Sequence, residues 1–493
     1  MSLSHGYIST DLLVCALSPI FKDANGDISS SKNYRGIAIS SLILKVFDNC
    51  LLILFGHILS NDPLQFGFQK GSSTVQCTWS VQETISYYFR RGSVFCCLLD
   101  FSKAFDKVNF NELFHKLRER KFPAVFLRLL ISIYQNQTCF IRWNSKKSSS
   151  FQVKNGVRQG AILSPSLFCV YLDCLLSELR DAGLGCHIGG TFLGAFGYAD
   201  DVTLLAPSRQ ALQRMLSICE NFAISHSMLF STDPSPAKSK TKCMFFSRDK
   251  TKEQIMQVKL NGDMLPWVNT AKHLGNHLST SLNHGSFSPE TKTDLLAKRA
   301  ILFDKIHQIQ QQFGYYDPHL VSKLLSIYAT AMYGSTLWQL NSVEHQKLNR
   351  SWNTAVKMIW DLPHATHTRY LESLSPVHHL ESVLHGRYVG FIQSLGNSQG
   401  AILPLIFNLT CTDLSSLTGQ NVNFLMSKLG KQTLSSLFNA RLALKKSRVY
   451  SLSDDETWKI QLIKEISLVK KEHLEIVFDD EDLEEILMCI CTD

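Results

Sequence analysis

The fold is decided by residues 192–206, which read FLGAFGYADDVTLLA. Two apolar arms flank the acidic pair Asp200 and Asp201, a pattern that predicts a β-hairpin with both acids at its tip. Adjacent carboxylates in apolar surroundings repel each other, and this raises a pKa unless a cation neutralises them. The stretch therefore indicates a metal site at the tip of a hairpin.

A third acid ends an apolar run upstream. Residues 94–100 read VFCCLLD, which predicts a β-strand ending at Asp100, although an Asp at a strand end also serves ordinary turns. Carboxylate oxygens suit Mg²⁺, which takes one or two carboxylates plus phosphate oxygens. If Asp100 lies beside the hairpin, the three acids complete a two-ion site for phosphoryl transfer, with the ions ~3.5–4 Å apart.

Between these acids lies a loop that suits a nucleotide. Residues 155–168 read NGVRQGAILSPSLF, and the Ser-Pro pair predicts the start of a helix. Arg158 supplies a charge, Gln159 supplies amide donors and acceptors, and Gly160 leaves room for close backbone approach. An ordinary strand-to-helix loop explains the same pattern, so the loop alone does not decide the function.

The composition is typical of a large folded protein. A length of 493 residues exceeds one compact core, so several domains are expected. With 45% hydrophobic and 19% charged residues, the chain can bury a large interior, which excludes the disordered class. Its 50 basic and 42 acidic residues give a net charge of +8, which permits a polyanionic partner without establishing one.

Cysteine and histidine patterns favour buried thiols and ordinary histidines. The 14 cysteines are scattered, and neither Cys489 with Cys491 nor His273 with His277 forms a convincing zinc site. No apolar run reaches the ~20 residues of a membrane span, and the amino terminus lacks a secretory pattern. We therefore expect a cytoplasmic or nuclear protein in a reducing compartment.

The chain changes character near residue 275. Short β-rich runs alternate with helical periods before this point, and helical periods dominate after it. One such period is formed by Leu348, Trp352, Val356 and Ile359. We therefore expect an α+β first part followed by a mainly α-helical second part.

The order of the motifs resembles that of one enzyme family. LLDFSKAFD at 98–106, GVRQGAILSPSLF at 156–168 and YADD at 198–201 are similar to three successive palm motifs of reverse transcriptases. Further blocks match in the same order at 33–47, 65–74, 236–246 and 273–275. Among reverse transcriptases, the chain resembles those of non-LTR (LINE-type) retrotransposons.

This resemblance implies an RNA-directed DNA polymerase, a nucleotidyltransferase that adds dNTPs to a primer 3′-hydroxyl on an RNA template. The implied partners are the RNA template, a DNA primer or target, and dNTPs, with no membrane; the oligomeric state stays open. The implied fold is a right hand, with fingers and an antiparallel palm sheet over 1–275. A helical thumb follows over 276–370, and a helical carboxy-terminal region with an acidic tail and no assigned role covers 371–493.

The resemblance also assigns the chemistry to named residues. Asp100 and Asp200 would ligate two Mg²⁺ ions, with Mn²⁺ as the alternative metal. Asp201 would assist them, and the carbonyl of Phe101 would be a further oxygen ligand. The ring of Phe105 would lie under the sugar and exclude a 2′-hydroxyl.

Further residues are expected to hold the substrate. Gln159 and Gly160, beside Arg158, would border the nascent base pair. Cations offset the charge of phosphates. Arg35 and Lys45 would therefore contact the triphosphate. Lys240 would lie near the leaving pyrophosphate, with Lys238 as an alternative.

Departures from the family pattern leave alternatives open. No endonuclease region is recognisable, and Gly36 stands where the family usually has Pro. The chain is therefore either an active polymerase or a truncated, catalytically silent remnant that only binds RNA or DNA. An RNA-dependent RNA polymerase is a third reading, against which Phe105 argues. Lys347, Arg350 and Lys357 beside Trp352 are candidates for phosphate contacts with the duplex, although a Trp at helical spacing is more often core.

Overall fold

The computed structural model describes residues 6–445, except 24–25, 234, 237, 249–256, 281, 284–285, 288–290, 314–317, 330–331, 367, 369–370 and 372–379. These residues form two compact units. The first runs to Leu274 and includes Gly400–Ile402, and the second contains the remaining residues from Gly275 onward. The expected end of the fingers and palm at 275 is one residue from this division, whereas the expected end of the thumb at 370 stays a prediction. The acidic tail, with Cys489 and Cys491, lies outside the described residues.

The first unit contains helices and strands in mixed order. Its strands are β1 (Val14–Phe21), β2 (Tyr34–Ile39), β3 (Ser93–Asp100), β4 (Thr138–Trp143), β5 (Lys146–Lys147), β6 (Phe151–Gln152), β7 (His187–Ile188), β8 (Thr191–Phe192), β9 (Ala195–Tyr198), β10 (Asp201–Ala206), β11 (Lys242–Ser247), β12 (Lys259–Leu260), β13 (Asp263–Met264) and β14 (Thr270–His273). Its helices are α1 (Leu42–Phe55), α2 (Thr74–Phe89), α3 (Ala104–Lys107), α4 (Phe110–Glu119), α5 (Ala124–Asn136), α6 (Ser164–Asp181) and α7 (Arg209–Ser225).

A four-stranded antiparallel sheet forms the centre of this unit, in the order β11-β3-β10-β9. The side chains of β3 and β10 are almost all buried, because helices α2 and α7 pack against these strands. Both helices begin at a serine whose side chain accepts a backbone N–H: Ser73 from Gln76 and Ser208 from Ala211. The sequences of β3 and β10 are apolar almost throughout because nearly all of their side chains are buried.

A second sheet lies in the same unit, in the order β2-β1-β4-β5, with β6 also paired to β4. Strand β1 runs antiparallel to β2 and parallel to β4. This sheet carries Arg35 on β2, next to the loop that precedes α6. The predicted helix start at the Ser-Pro pair is confirmed, since α6 begins at Ser164.

The second unit is mainly helical, as predicted. Its elements are β15 (Asn276–Ser279), β16 (Leu282–Asn283), β17 (Ser286–Phe287), α8 (Thr291–Phe313), α9 (Pro318–Ala329), α10 (Val343–Ile359), α11 (Leu380–Gly396), α12 (Ile402–Thr410, of which Ile402 falls in the first unit), α13 (Leu417–Lys428) and α14 (Leu434–Lys445). Trp338 and Trp352 are fully buried in its core with Leu348 and Val356. The helical period on α10 is therefore core packing. None of the helices in the described ranges is long and apolar enough to cross a membrane.

Candidate active site

The central sheet brings the predicted acids together. Strand β3 ends at Asp100, and β10 begins at Asp201, which is its direct cross-strand partner. Strands β9 and β10 form the predicted hairpin, with Tyr198 opposite Asp201 and Asp200 in the turn between them. Side chains of directly opposed residues lie on the same face of a sheet about 5 Å apart. The register therefore places Asp100 and Asp201 side by side at the end of the two inner strands, and the turn adds Asp200 next to Asp201.

The three carboxylates repel one another. Desolvation by the surrounding protein raises the pKa of Asp201 to about 7, and the negative charges of Asp200 and Asp100 add to the increase. Burial likewise raises the pKa of Asp200, with Asp100 contributing in the same direction. Lys240 acts against both increases, and Arg35 acts against that of Asp200. The cluster is therefore short of positive charge, although two cations act on it.

Lys240, which the resemblance assigns to the leaving pyrophosphate, lies beside Asp100. Its Nζ is 3.4 Å from Oδ2 of Asp100. This oxygen is buried and accepts no hydrogen bond among the described residues. A cavity of about 380 Å³ adjoins the pair, and its lining includes Asp201, Lys238 and Lys240. Both candidate lysines thus line the same cavity, and Lys240 makes the ion pair with Asp100.

Lys240 and Arg35 belong to a larger group of cations, and the sequence reasoning missed two of its members. The pKa of Lys22 is lowered first by burial and then by the charges of Lys240, Arg35 and Lys103, in that order. Lys22 and Lys103 were assigned no role, because a single lysine does not form a sequence motif. Lys45, expected in this role, lies half-buried on α1.

The loop before α6 packs on strand β2. Gln159 accepts a backbone hydrogen bond from Ala38 at 2.7 Å, and its side-chain Nε2 donates to Asp106 Oδ1 at 3.3 Å. Gly160 has φ +104°, and a Cβ there would lie 3.0 Å from the Ala38 carbonyl oxygen. The need for glycine at this position therefore comes from close approach to the chain itself.

Arg158 is not brought to the acids. Its side chain is 6% exposed, and its guanidinium lies 5.5 Å from the centroid of the Tyr134 ring. Burial raises the pKa of Asp48, which is also buried, and the charge of Arg158 acts in the opposite direction. A buried arginine close to a buried carboxylate stabilises the fold, whereas the sequence predicted that Arg158 binds substrate. Its substrate role stays a prediction.

The two phenylalanines next to Asp100 are held by ring stacking. Phe101 is buried, and its ring stacks on Phe230 at 4.3 Å between centroids. Phe105 is half-buried and stacks on Phe168 of α6 at 4.4 Å, with 13° between the ring planes. The ring of Phe105 is therefore fixed in position, as a gate against a 2′-hydroxyl requires.

The donor set at this edge fits divalent cations. Within the described ranges, no group of three or more His, Cys, Asp or Glu side chains is already arranged to hold a metal ion. Oδ2 of Asp100 accepts no hydrogen bond from the part of the chain that the structure describes, and the pKa values of Asp200 and Asp201 stay raised despite Lys240, so the cluster consists of hard oxygen donors with too little counter-charge. A divalent cation would supply that charge.

The reverse transcriptase (RNA-dependent DNA polymerase) family profile matches residues 22–278, which is more than half of the chain and includes all three acids. The chain belongs to the reverse transcriptase family. Its α+β architecture with a helical second part is the polymerase fold that the motif order predicted. Reverse transcriptases use divalent metal ions, in agreement with the donor set described above.

Curated relatives match over parts of their length. The chain is 29% identical over 188 residues to the Pol polyprotein of retrotransposable element R2 from Nasonia vitripennis, covering 38% of this chain and 18% of the relative. It is 28% identical over 276 residues to the probable RNA-directed DNA polymerase of transposon X-element from Drosophila melanogaster, covering 54% and 29%. The chain thus spans less than a third of either relative. Among solved structures, apo telomerase from Candida tropicalis matches with a TM-score of 0.43 at 10% identity, over 92% of this chain and 69% of that chain.

Proposed function

We propose that this reverse transcriptase is the RNA-directed DNA polymerase of a non-LTR retrotransposon. It adds dNTPs to the 3′-hydroxyl of a DNA primer or nicked target on an RNA template. The observation that carries the proposal is the register of β3 and β10, which sets Asp100 opposite Asp201 and next to Asp200. The relatives named above, an R2 element and the X-element, support the retrotransposon origin.

The chemistry is an in-line attack of the primer 3′-oxygen on the α-phosphorus of a dNTP, with pyrophosphate leaving. Asp100, Asp200 and the carbonyl of Phe101 would hold two Mg²⁺ ions, with Asp201 assisting. When bound, the ions lower the pKa of the attacking hydroxyl and neutralise the developing phosphate charge. Lys240, whose Nζ is 3.4 Å from Asp100 Oδ2, would stabilise the leaving pyrophosphate.

Primer extension tests this proposal. The purified chain should extend a DNA primer on an RNA template when dNTPs and Mg²⁺ are present, and chelation of the metal should stop the reaction. Salt-sensitive RNA binding without extension at any concentration of Mg²⁺ or Mn²⁺ would instead support the catalytically silent remnant.

The Phe105 ring is expected to select the sugar. In Phe105→Ala, the space under the ribose opens, so the ratio of rNTP to dNTP incorporation should rise at least about tenfold. Single-nucleotide incorporation with each substrate measures this ratio. The control is Phe110→Leu, which alters a buried ring outside the site. An unchanged ratio in Phe105→Ala would remove the gate assignment.

Lys22 is expected to bind the triphosphate together with Arg35. Replacing Lys22 with alanine removes one of the clustered positive charges, so KM for dNTP should rise about tenfold with a smaller change in kcat. Lys22→Arg should keep most of the affinity, and Lys259→Ala, at an exposed strand position, should match the parent. A parental KM in Lys22→Ala would exclude the contact.

A further inference from the structure

A glutamine side chain lies buried beneath the acidic hairpin. Gln65, between α1 and α2, is 2% exposed. Its Oε1 accepts the backbone N–H of Ala199 at 2.8 Å and that of Gly67 at 2.9 Å. Its Nε2 donates to the carbonyl of Ala199 at 3.4 Å. One side chain therefore contacts both backbone polar groups of the residue that precedes Asp200.

Ala199 has a backbone conformation that needs support. Its φ is +56°, in the left-handed region that residues with a Cβ rarely adopt. Such a conformation persists only where the surroundings over-determine it. The two hydrogen bonds from Gln65 provide that support, because they fix the peptide planes on both sides of Ala199. The second of these planes is the one that joins Ala199 to Asp200.

The segment carrying Gln65 is pressed against the hairpin backbone. Phe66 N–H donates to Gly197 O at 2.7 Å, and Gly197 N–H donates to Leu64 O at 2.8 Å. A Cβ at Gly67 would lie 2.3 Å from the backbone nitrogen of Ala199. Because backbone atoms block that space, the contact requires glycine and leaves little freedom for the turn to move.

The same segment is anchored to helix α6 by charge. Asp62 forms an ion pair with Arg180, and its backbone N–H donates to Asp173 Oδ1 at 2.5 Å. Asp62 Oδ1 in turn accepts from Leu64 N–H at 2.9 Å. Asp173 is itself paired with Arg120 of the α4 carboxyl end at 2.5 Å. Gln65 is therefore held by rigid elements outside the hairpin.

We propose that Gln65 is a positioning residue of the polymerase, which acts through Ala199 to set the direction of the Asp200 carboxylate. The proposal rests on the proposed function, because it assumes that Asp200 holds a catalytic metal. Loss of the two hydrogen bonds frees the peptide between Ala199 and Asp200 to rotate. A carboxylate misplaced by about 1 Å can lower a rate on the order of 10²-fold.

The test replaces Gln65 with methionine, which keeps the length of the side chain and removes all three hydrogen bonds, the two to Ala199 and the one from Gly67 N–H. We expect kcat to fall about 10–100-fold with KM for dNTP nearly unchanged, because the substrate contacts remain. Mn²⁺ binding, followed by electron paramagnetic resonance, should weaken about tenfold. Adding Ala199→Gly to Gln65→Met should restore part of kcat, since glycine adopts the left-handed conformation without support.

The matched control is Gln69→Met. Gln69 lies on the same segment and donates to the Asp62 carbonyl at 3.3 Å rather than to the hairpin, so kcat and Mn²⁺ affinity should stay parental. If Gln65→Met does not fold, Gln65→Glu takes its place; it keeps the acceptor for Ala199 N–H and should give an intermediate loss of kcat.

The outcomes separate this proposal from the proposed function. Equal kcat and Mn²⁺ affinity in Gln65→Met and the parent, in an active enzyme, would overturn the positioning role and leave the polymerase intact. An inactive parent would overturn the polymerase. In that case faster amide exchange at Ala199 with weaker Mn²⁺ binding in Gln65→Met would still support the positioning role, and unchanged exchange and binding would reject it.

Discussion

Asp200→Asn is expected to lower the rate of primer extension by on the order of 10³-fold or more. Asparagine keeps the shape of the side chain but removes the charge that a divalent ion needs as a ligand. The protein should remain as stable as the parent or become more stable, because the raised pKa of Asp200 reflects burial and repulsion by Asp100. Single-turnover extension and thermal unfolding measure the two effects separately.

The control for this variant is Asp181→Asn. Asp181 has a side chain that is 78% exposed at the end of α6, so both activity and stability should stay parental. An Asp200→Asn protein that extends primers at the parental rate would contradict the account. A protein that loses activity only because it unfolds would leave the role of Asp200 undecided by this variant, and Asp200→Glu, which keeps the charge, would then be compared with it.

Arg158→Leu is expected to lower the free energy of unfolding by about 3–5 kcal/mol. Leucine fills part of the volume but carries no charge. The buried carboxylate of Asp48 then loses the charge of Arg158, which in the parent acts to lower the pKa of Asp48. The removed guanidinium also lies over the ring of Tyr134. Urea denaturation gives the free energy, and the lost stability should be partly recovered in the double variant Asp48→Asn with Arg158→Leu.

The exposed residue Arg142 supplies the comparison. Arg142→Leu, on β4, should change the free energy of unfolding by less than about 0.5 kcal/mol. If Arg158→Leu were as stable as the parent and bound dNTP more weakly, Arg158 would have the substrate role that the sequence indicated and not the structural one.

The elements that hold the acids could be predicted because their signals are local. The strand ending at Asp100, the hairpin around Asp200 and the helix beginning at Ser164 each follow from apolar runs next to turn or cap residues. The buried period containing Trp352 followed from helical spacing alone. In these cases, the residues that decide the structure are neighbours in the sequence.

The partners of isolated polar residues could not be predicted, because they are distant in the sequence. Arg158 resembled a surface ligand since Gln159 and Gly160 follow it, yet its burial depends on Asp48 and Tyr134 in other helices. Gln65 lies 134 positions from Ala199, which it contacts. A pattern of neighbouring residues does not indicate which distant residue a side chain will contact.

Among the cations of the site, too, some could be predicted from the sequence and others could not. The motif match pointed to Arg35 and Lys240, which the structure places in electrostatic contact with Asp200. It gave no reason to choose Lys22 or Lys103, because the charges that act on Lys22 come from Lys240, Arg35 and Lys103, which are distant from it or isolated in the sequence.

Electron paramagnetic resonance with Mn²⁺ shows directly whether Asp100, Asp200 and Asp201 jointly hold two divalent ions. In a complex with RNA template, DNA primer and a non-reactive dNTP analogue, two ions ~3.5–4 Å apart should give an exchange-coupled spectrum. Asp100→Asn and Asp200→Asn should each abolish the coupling. An isolated-ion spectrum in a complex that binds primer, template and nucleotide, or coupling that persists in both variants, would contradict the account.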